Sequence, residues 1–170
     1  LLLSAIQSNV PTVMIELKSL YDLREPVTRP LTPLPLGRAR VAREGSDITF
    51  VAISDMVAFA ERVARRLARS HIEAEVLDLR TVAPLDAEAI VASVAKTRRV
   101  AVFDIGWEPF GLAAEVARVV AGGPAFRLAA PLLSIARAFA QTPASCFLEP
   151  AHYPDEDDAV ARVRALNEDR

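Results

Sequence analysis

The sequence holds six glycines, two histidines and one cysteine. Each scarcity removes a class of chemistry. No G-x-G-x-x-G or Walker sequence occurs, and the strand-like run Ile48–Ile53 leads into Ser54-Asp55-Met56, where a phosphate loop would carry glycines. A dinucleotide or P-loop site is not expected. His71, His152 and Cys146 are too far apart in sequence to give a metal-ligand spacing. No G-x-S-x-G elbow is present. A lone cysteine cannot form an internal disulfide, which fits a reducing compartment, and we expect a cytoplasmic protein. Charge of one sign is also missing. The net charge is −2, without the basic excess of a phosphate-backbone reader, so no nucleic-acid partner is expected. No uninterrupted apolar run reaches the ~18 residues of a membrane span. The opening Leu1–Ile6 is apolar but lacks a positive lead-in and a cleavage pattern.

What is there is a globular composition. Apolar residues make up 52% and charged residues 25% of 170 positions, enough for one domain with its own core. The chain does not begin with Met and opens inside helix-like sequence, so we expect it to be truncated. Residues 1–21 read as a helix end, a break at Asn9-Val10-Pro11 and a strand Thr12–Leu17. Residues 22–37 carry Pro26, Pro30, Pro33 and Pro35 and read as an extended linker. The main domain is expected over 38–170.

One stretch gives the grammar of that domain. In Glu75-Val76-Leu77-Asp78-Leu79-Arg80-Thr81-Val82-Ala83-Pro84-Leu85-Asp86, apolar positions spell a strand and Pro84 ends it. Asp86 stands where a helix N-cap belongs, since its carboxylate can accept from the free N–H groups of the first turn. Strand, polar turn and helix start make the joint of a βαβ unit. The pattern recurs. An alternating edge strand is predicted at 39–43 and a buried strand at 48–53. Helix 55–70 places Met56, Val57, Ala60, Val63, Ala64 and Leu67 on one face and Glu61, Arg62, Arg65, Arg66 and Arg69 on the other. Strand 75–79 leads to helix 86–96, and strand 99–103 to helix 111–121. A fourth parallel strand is predicted at Ala125–Ala129, after the Gly122-Gly123-Pro124 break. A last helix spans 155–167, with Asp155, Glu156, Asp157 and Asp158 at its positive end. Alternating strands and helices give an α/β fold with helices on both faces of a parallel sheet.

Open α/β sheets bind ligands at the carboxyl ends of their strands. The residues standing there are Ser54 and Asp55, Asp78 and Arg80, and Asp104 with Gly106 and Trp107. Asp55 also suits a helix start. Asp78 and Arg80 suit a local ion pair or a contact across an interface, and these structural roles outweigh catalysis. In Asp104-Ile105-Gly106-Trp107-Glu108-Pro109-Phe110-Gly111, two glycines permit tight turns. Trp107 is costly to leave exposed. It serves a subunit or domain contact, or core packing, or a small ligand, and the first is the expectation. His71 reads as a turn residue. His152, beside Tyr153 and just before the last helix, reads as structural before it reads as a general base. Cys146 has no His or helix start nearby to activate it.

The phrase "EVLDLRTVAPLD" resembles the C-terminal domain of the transketolase family, most of all the beta subunit of thiamine-dependent 2-oxoacid dehydrogenases. In the same order around it stand "LLLSAI", "ELKSLY", "PLGRARVAREGSDITFVA", "GWEPFGLAAEVA" and "LEPAHYP", which together span nearly the whole chain. The resemblance implies a three-layer αβα sandwich with a mostly parallel sheet of about five strands, one of them an antiparallel edge. It implies that residues 1–21 are the tail of a preceding pyrimidine-binding domain. It implies thiamine diphosphate and Mg in the complete enzyme, with none bound by this chain alone. It also implies partners: an alpha subunit, a second beta subunit and the lipoyl acyltransferase core. No catalytic, cofactor or metal residue carries over. The residues carried forward as a candidate interface are Asp78, Arg80, Asp104, Trp107, Phe110, His152 and Tyr153. Ser54 stands where the family leads us to expect Gly, and Phe103-Asp104 where His-Glu is frequent. Two other readings stay open: a transketolase-type or deoxyxylulose-phosphate-synthase-type enzyme, and a non-catalytic assembly module or degenerate fragment.

Overall fold

The computed structural model describes residues 1–24, 26, 29–123, 127–145 and 147–168. Five strands form one sheet in the order β1-β3-β2-β4-β5. They are β1 (Arg40–Arg43), β2 (Ile48–Ala52), β3 (Ala74–Asp78), β4 (Val100–Trp107) and β5 (Leu133–Arg137). The helices are α1 (Leu2–Gln7), α2 (Asp55–Ala68), α3 (Ala87–Thr97), α4 (Leu112–Ala121) and α5 (Glu156–Glu168). The edge strand β1 runs antiparallel to β3, and the other pairings are parallel. This is the αβα sandwich implied by the resemblance.

Strand alternation divides the core between the two faces. Ile48, Phe50, Ala52, Val76, Ala101 and Phe103 meet Val63, Ala64 and Leu67 of α2 and Ala159, Val160 and Val163 of α5. Phe50 and Phe103 lie with ring centroids 4.6 Å apart. Val51, Leu77, Val100 and Val102 point the other way, against Ile90 and Val94 of α3 and Val116 and Val119 of α4. Each fully buried aliphatic side chain contributes roughly 1.5–3 kcal/mol, so these two clusters fix which helix lies on which face.

Asp86 caps α3 as its position predicts. One carboxylate oxygen accepts the Ala89 N–H at 3.1 Å, and the other accepts the Ala39 N–H at 2.9 Å. The same side chain therefore starts a helix and anchors the chain entering β1. Asp155 plays the matching role at α5, accepting from the backbone of Asp157 and Asp158 at 2.8 and 3.0 Å.

Three sequence expectations need correction. Thr12–Leu17 forms no strand, and Val13 and Ile15 are 88% and 89% exposed; its apolar alternation finds no neighbouring strand to pair with. The strand placed at 125–129 lies elsewhere. Ala125 and Phe126 fall outside the described residues. Arg127–Ala129 is held to the corner before β4, where the Ala129 N–H donates to the Arg98 carbonyl at 2.8 Å. The place beside β4 goes to β5, whose Ile135 is buried among the α5-side residues. Finally, β4 continues to Trp107, past the predicted end at residue 103, because Trp107 pairs with Arg137 beyond an irregularity. Cys146 also lies outside the described residues.

Candidate subunit interface at the carboxyl ends of the strands

Three groups of candidate residues stand at this end of the sheet, after β2 (Ser54 and Asp55) and at the ends of β3 and of β4. At the end of β3, Asp78 is occupied by its own neighbourhood. One oxygen accepts the Arg80 backbone N–H at 3.1 Å and the other lies 3.2 Å from the Arg40 guanidinium. The Arg80 Nε is 4.0 Å away. Arg80 itself takes φ +60°, a left-handed turn conformation that is uncommon for a side chain of its size. The cluster ties β1 to the end of β3.

The end of β4 is organised by Asp104. Its two oxygens accept the Gly106 N–H and the Leu112 N–H, each at 2.9 Å. The second bond satisfies an orphan donor of the first turn of α4 from a distance. A Cβ on Gly106 or on Gly111 would come within 2.9 Å of that carboxylate, so glycine leaves the space in which the aspartate sits. The loop thus stapled holds Phe110 at φ +63° and leaves it 94% exposed. Bulky residues at positive φ are rare and persist where surrounding structure imposes them.

Trp107 does not enter the core. It is 46% exposed and meets Phe139 edge-on at 4.9 Å. Arg137, its register partner in β5, stacks over the Tyr153 ring with 5.1 Å to the centroid. The Tyr153 hydroxyl donates to Glu149 at 2.9 Å, and this bond raises the phenol pKa above its usual value. The His152 Nδ1–H donates to the Leu148 carbonyl at 3.2 Å, a local closure of the 3-10 turn Glu149–His152. So Trp107 and Tyr153 are brought together through Arg137, and Asp104 braces the loop that carries Trp107 and Phe110. Asp78 and Arg80 belong to the cluster at the end of β3.

Sequence reasoning missed Arg137 and Phe139, because β5 had been placed too early. The signal was the alternation Leu133-Ser134-Ile135-Ala136-Arg137, which ends on a cation at a strand's carboxyl end. It also missed the strain at Ser54, which has φ +60° and ψ −134° with no side-chain cap bond. Next to it, one Asp55 oxygen is buried without a partner, and burial raises the Asp55 pKa.

Among the described residues no three His, Cys, Asp or Glu side chains converge as metal ligands. Asp78 and Asp104 already spend oxygens on backbone N–H groups. No helix among them is long and apolar enough to cross a membrane.

Residues 37–158 match the model of the transketolase C-terminal domain. The chain belongs to this family. Its relatives include the pyruvate dehydrogenase E1 component subunit beta of Rickettsia conorii, 35% identical over 98% of this chain and 51% of the relative. The mitochondrial pyruvate dehydrogenase E1 subunit beta of Mus musculus is 36% identical over 96% of this chain and 47% of its own length. The beta subunit of acetoin:2,6-dichlorophenolindophenol oxidoreductase of Bacillus subtilis is 36% identical over 95% and 47%. A solved split-gene transketolase, an inactive beta4 tetramer, superposes with a TM-score of 0.70 at 27% identity, over 85% of this chain and 46% of that one. The chain thus spans about half the length of the relatives it matches.

Proposed function

We propose that the chain is the C-terminal half of the beta subunit of a thiamine-dependent 2-oxoacid dehydrogenase. The complete enzyme decarboxylates a 2-oxoacid oxidatively and passes the acyl group to a lipoyl carrier in the cytoplasm. This domain serves assembly with an alpha subunit and a second beta subunit, and docking of the lipoyl acyltransferase core. Residues 1–21 belong to the preceding pyrimidine-binding domain, and 22–37 link it to the domain at 38–170. Thiamine diphosphate and Mg bind in the complete enzyme, outside these residues.

The observation that carries the assembly role is the contrast at the strand ends. Asp78 and Asp104 there are satisfied internally, while Trp107, Phe110, Phe139 and Tyr153 face outward. Exposed aromatics on a stapled loop are what protein interfaces use as anchors. A transketolase-type reaction is the second reading, and the split-gene transketolase neighbour favours it.

The full-length protein, isolated with its co-purifying subunits, tests both. The expected result is 2-oxoacid-dependent reduction of an artificial acceptor that requires thiamine diphosphate and Mg. Ketose-dependent transfer instead selects the second reading, and neither activity with any partner overturns both. Titration of thiamine diphosphate and Mg into residues 1–170 should give no binding heat; one-to-one binding would place the cofactor within this chain after all. Trp107→Ala and Phe110→Ala should each loosen assembly without lowering the domain's melting temperature.

A further inference from the structure

Among the described residues Arg137 is a cation without an anion. Its guanidinium lies over the Tyr153 ring, and one terminal nitrogen donates to the Thr142 hydroxyl. Its Nε is buried and has no partner. Among the described residues it makes no ion pair. The opposite edge of the sheet differs. There Arg40 meets Asp78 at 3.2 Å and Arg43 meets Glu73 at 2.8 Å.

Stacking covers one face of the guanidinium, Nε is buried, and Nη2 is bonded to Thr142, so among the described residues Nη1 is the terminal nitrogen that remains unbonded. A guanidinium N–H of this kind is a strong charge-assisted donor to a carboxylate. The stack and the Thr142 bond already fix its position, so little freedom remains to be lost on pairing. Trp107, 46% exposed, and Phe139, 65% exposed, lie beside it. An occupant covering them would exclude water and strengthen the charge pairing.

We propose that Arg137 receives a carboxylate from a neighbouring protein subunit that covers Trp107 and Phe139. The donor is an Asp, a Glu or a chain terminus. This rests on the assembly role above and specifies the chemistry of the partner. Arrangement favours a protein over a small acid, because the exposed aromatic area extends beyond the reach of the guanidinium edge.

The test uses the full-length protein with its co-purifying subunits, followed by sedimentation velocity over a range of NaCl. Arg137→Gln is expected to weaken assembly at low salt by at least about tenfold and to flatten its salt dependence. Arg137→Lys should retain part of the affinity, and melting curves check that both variants fold. In R137K, zero-length carbodiimide coupling should join the new amine to an acidic residue of another chain, identified by peptide mass. Coupling only to carboxylates of its own chain, or unchanged assembly in R137Q, overturns the proposal. So does loss in R137Q of calorimetric binding to a small dicarboxylate such as succinate while assembly stays intact. Trp107→Ala separates the two levels. If it loosens the complex and R137Q does not, the assembly role stands and this inference falls; if neither loosens it, both fall.

Discussion

Asp104 and Leu112 are eight positions apart, yet the Asp104 carboxylate accepts the Leu112 N–H at 2.9 Å. The end of a strand thereby caps the next helix, and the loop between them becomes a rigid presenter of Phe110. Asp104→Ala should lower unfolding free energy by about 1–2 kcal/mol, the usual cost of a lost helix cap, as read by urea denaturation. Asp104→Asn keeps an acceptor and should lose less. Equal stability of Asp104→Ala and the parent chain would mean the loop holds itself.

Ser54 makes the opposite prediction. Its φ +60°, ψ −134° conformation suits glycine, and its side chain makes no cap bond that a substitution would lose. Strain of this kind costs on the order of 1–3 kcal/mol, and glycine's extra chain entropy returns part of it. Ser54→Gly should therefore stabilise the domain by about 1 kcal/mol in thermal or urea unfolding. Destabilisation would show that the serine serves something other than the turn.

How much of this was readable in advance follows from which forces act locally. The faces of α2 and α3, the buried β2 and the Asp86 cap are set by residues a few positions apart, and the sequence carried them openly. β5 was misplaced because Ala125–Ala129 and Leu133–Arg137 are both short apolar runs, and only the register with β4 chooses between them. Thr12–Leu17 has the composition of a strand, but a strand needs a neighbour. Trp107, Phe110 and Tyr153 were nameable as unusual residues. Arg137 was not, since its significance lies in a missing partner, which spacing alone does not show.

Glu75 is buried to 2% exposure inside the layer between β3 and α3. Ser93 and Lys96 donate to its two oxygens, and Ser93 connects through Thr49, at 2.7 Å, to Thr97, at 2.8 Å from Thr49. Removing the cation while leaving the carboxylate is the damaging change, because an unpaired buried charge has no compensation. Lys96→Ala should cost about 2–3 kcal/mol, reduced from the fully buried range of roughly 3–5 kcal/mol because Lys96 is partly solvated. Glu75→Gln, which keeps an acceptor for Ser93, should cost less. The order of these two losses in urea unfolding is the test, and a reversed order would mean that Ser93, not Lys96, satisfies the carboxylate.

The same pair fixes a pH dependence. The hydrogen bond to Glu75, then its charge, raises the Lys96 pKa above the ordinary lysine value. A raised folded-state pKa contributes stability that is complete below the unfolded-state pKa and is lost as pH rises through the folded one. The contribution should thus persist at neutral pH and disappear only in strongly alkaline solution. In Glu75→Gln the alkaline loss should begin at lower pH, as measured by melting temperature against pH. Coincident alkaline limbs would show that Lys96 titrates independently of Glu75.

Asp55 sets two effects against each other at the start of α2. Burial raises its pKa, while its own N–H, the Met56 N–H and the Arg62 charge lower it, and burial prevails. Protonation therefore favours the folded state. That contribution is full below the unfolded-state aspartate pKa of about 4 and is lost as pH rises through the higher folded value. One oxygen of this carboxylate is buried without a partner, and the helix N-terminus only partly offsets the cost of ionising it there. Asp55→Asn should accordingly match or exceed the parent's stability at pH 7, and the advantage should shrink as pH falls through the raised folded-state pKa and be gone by about pH 4. Urea unfolding at both pH values reads the difference. A clear loss in Asp55→Asn at neutral pH would mean that the negative charge at the helix start outweighs its desolvation, and that the carboxylate is held ionised for a partner that approaches this end of the sheet.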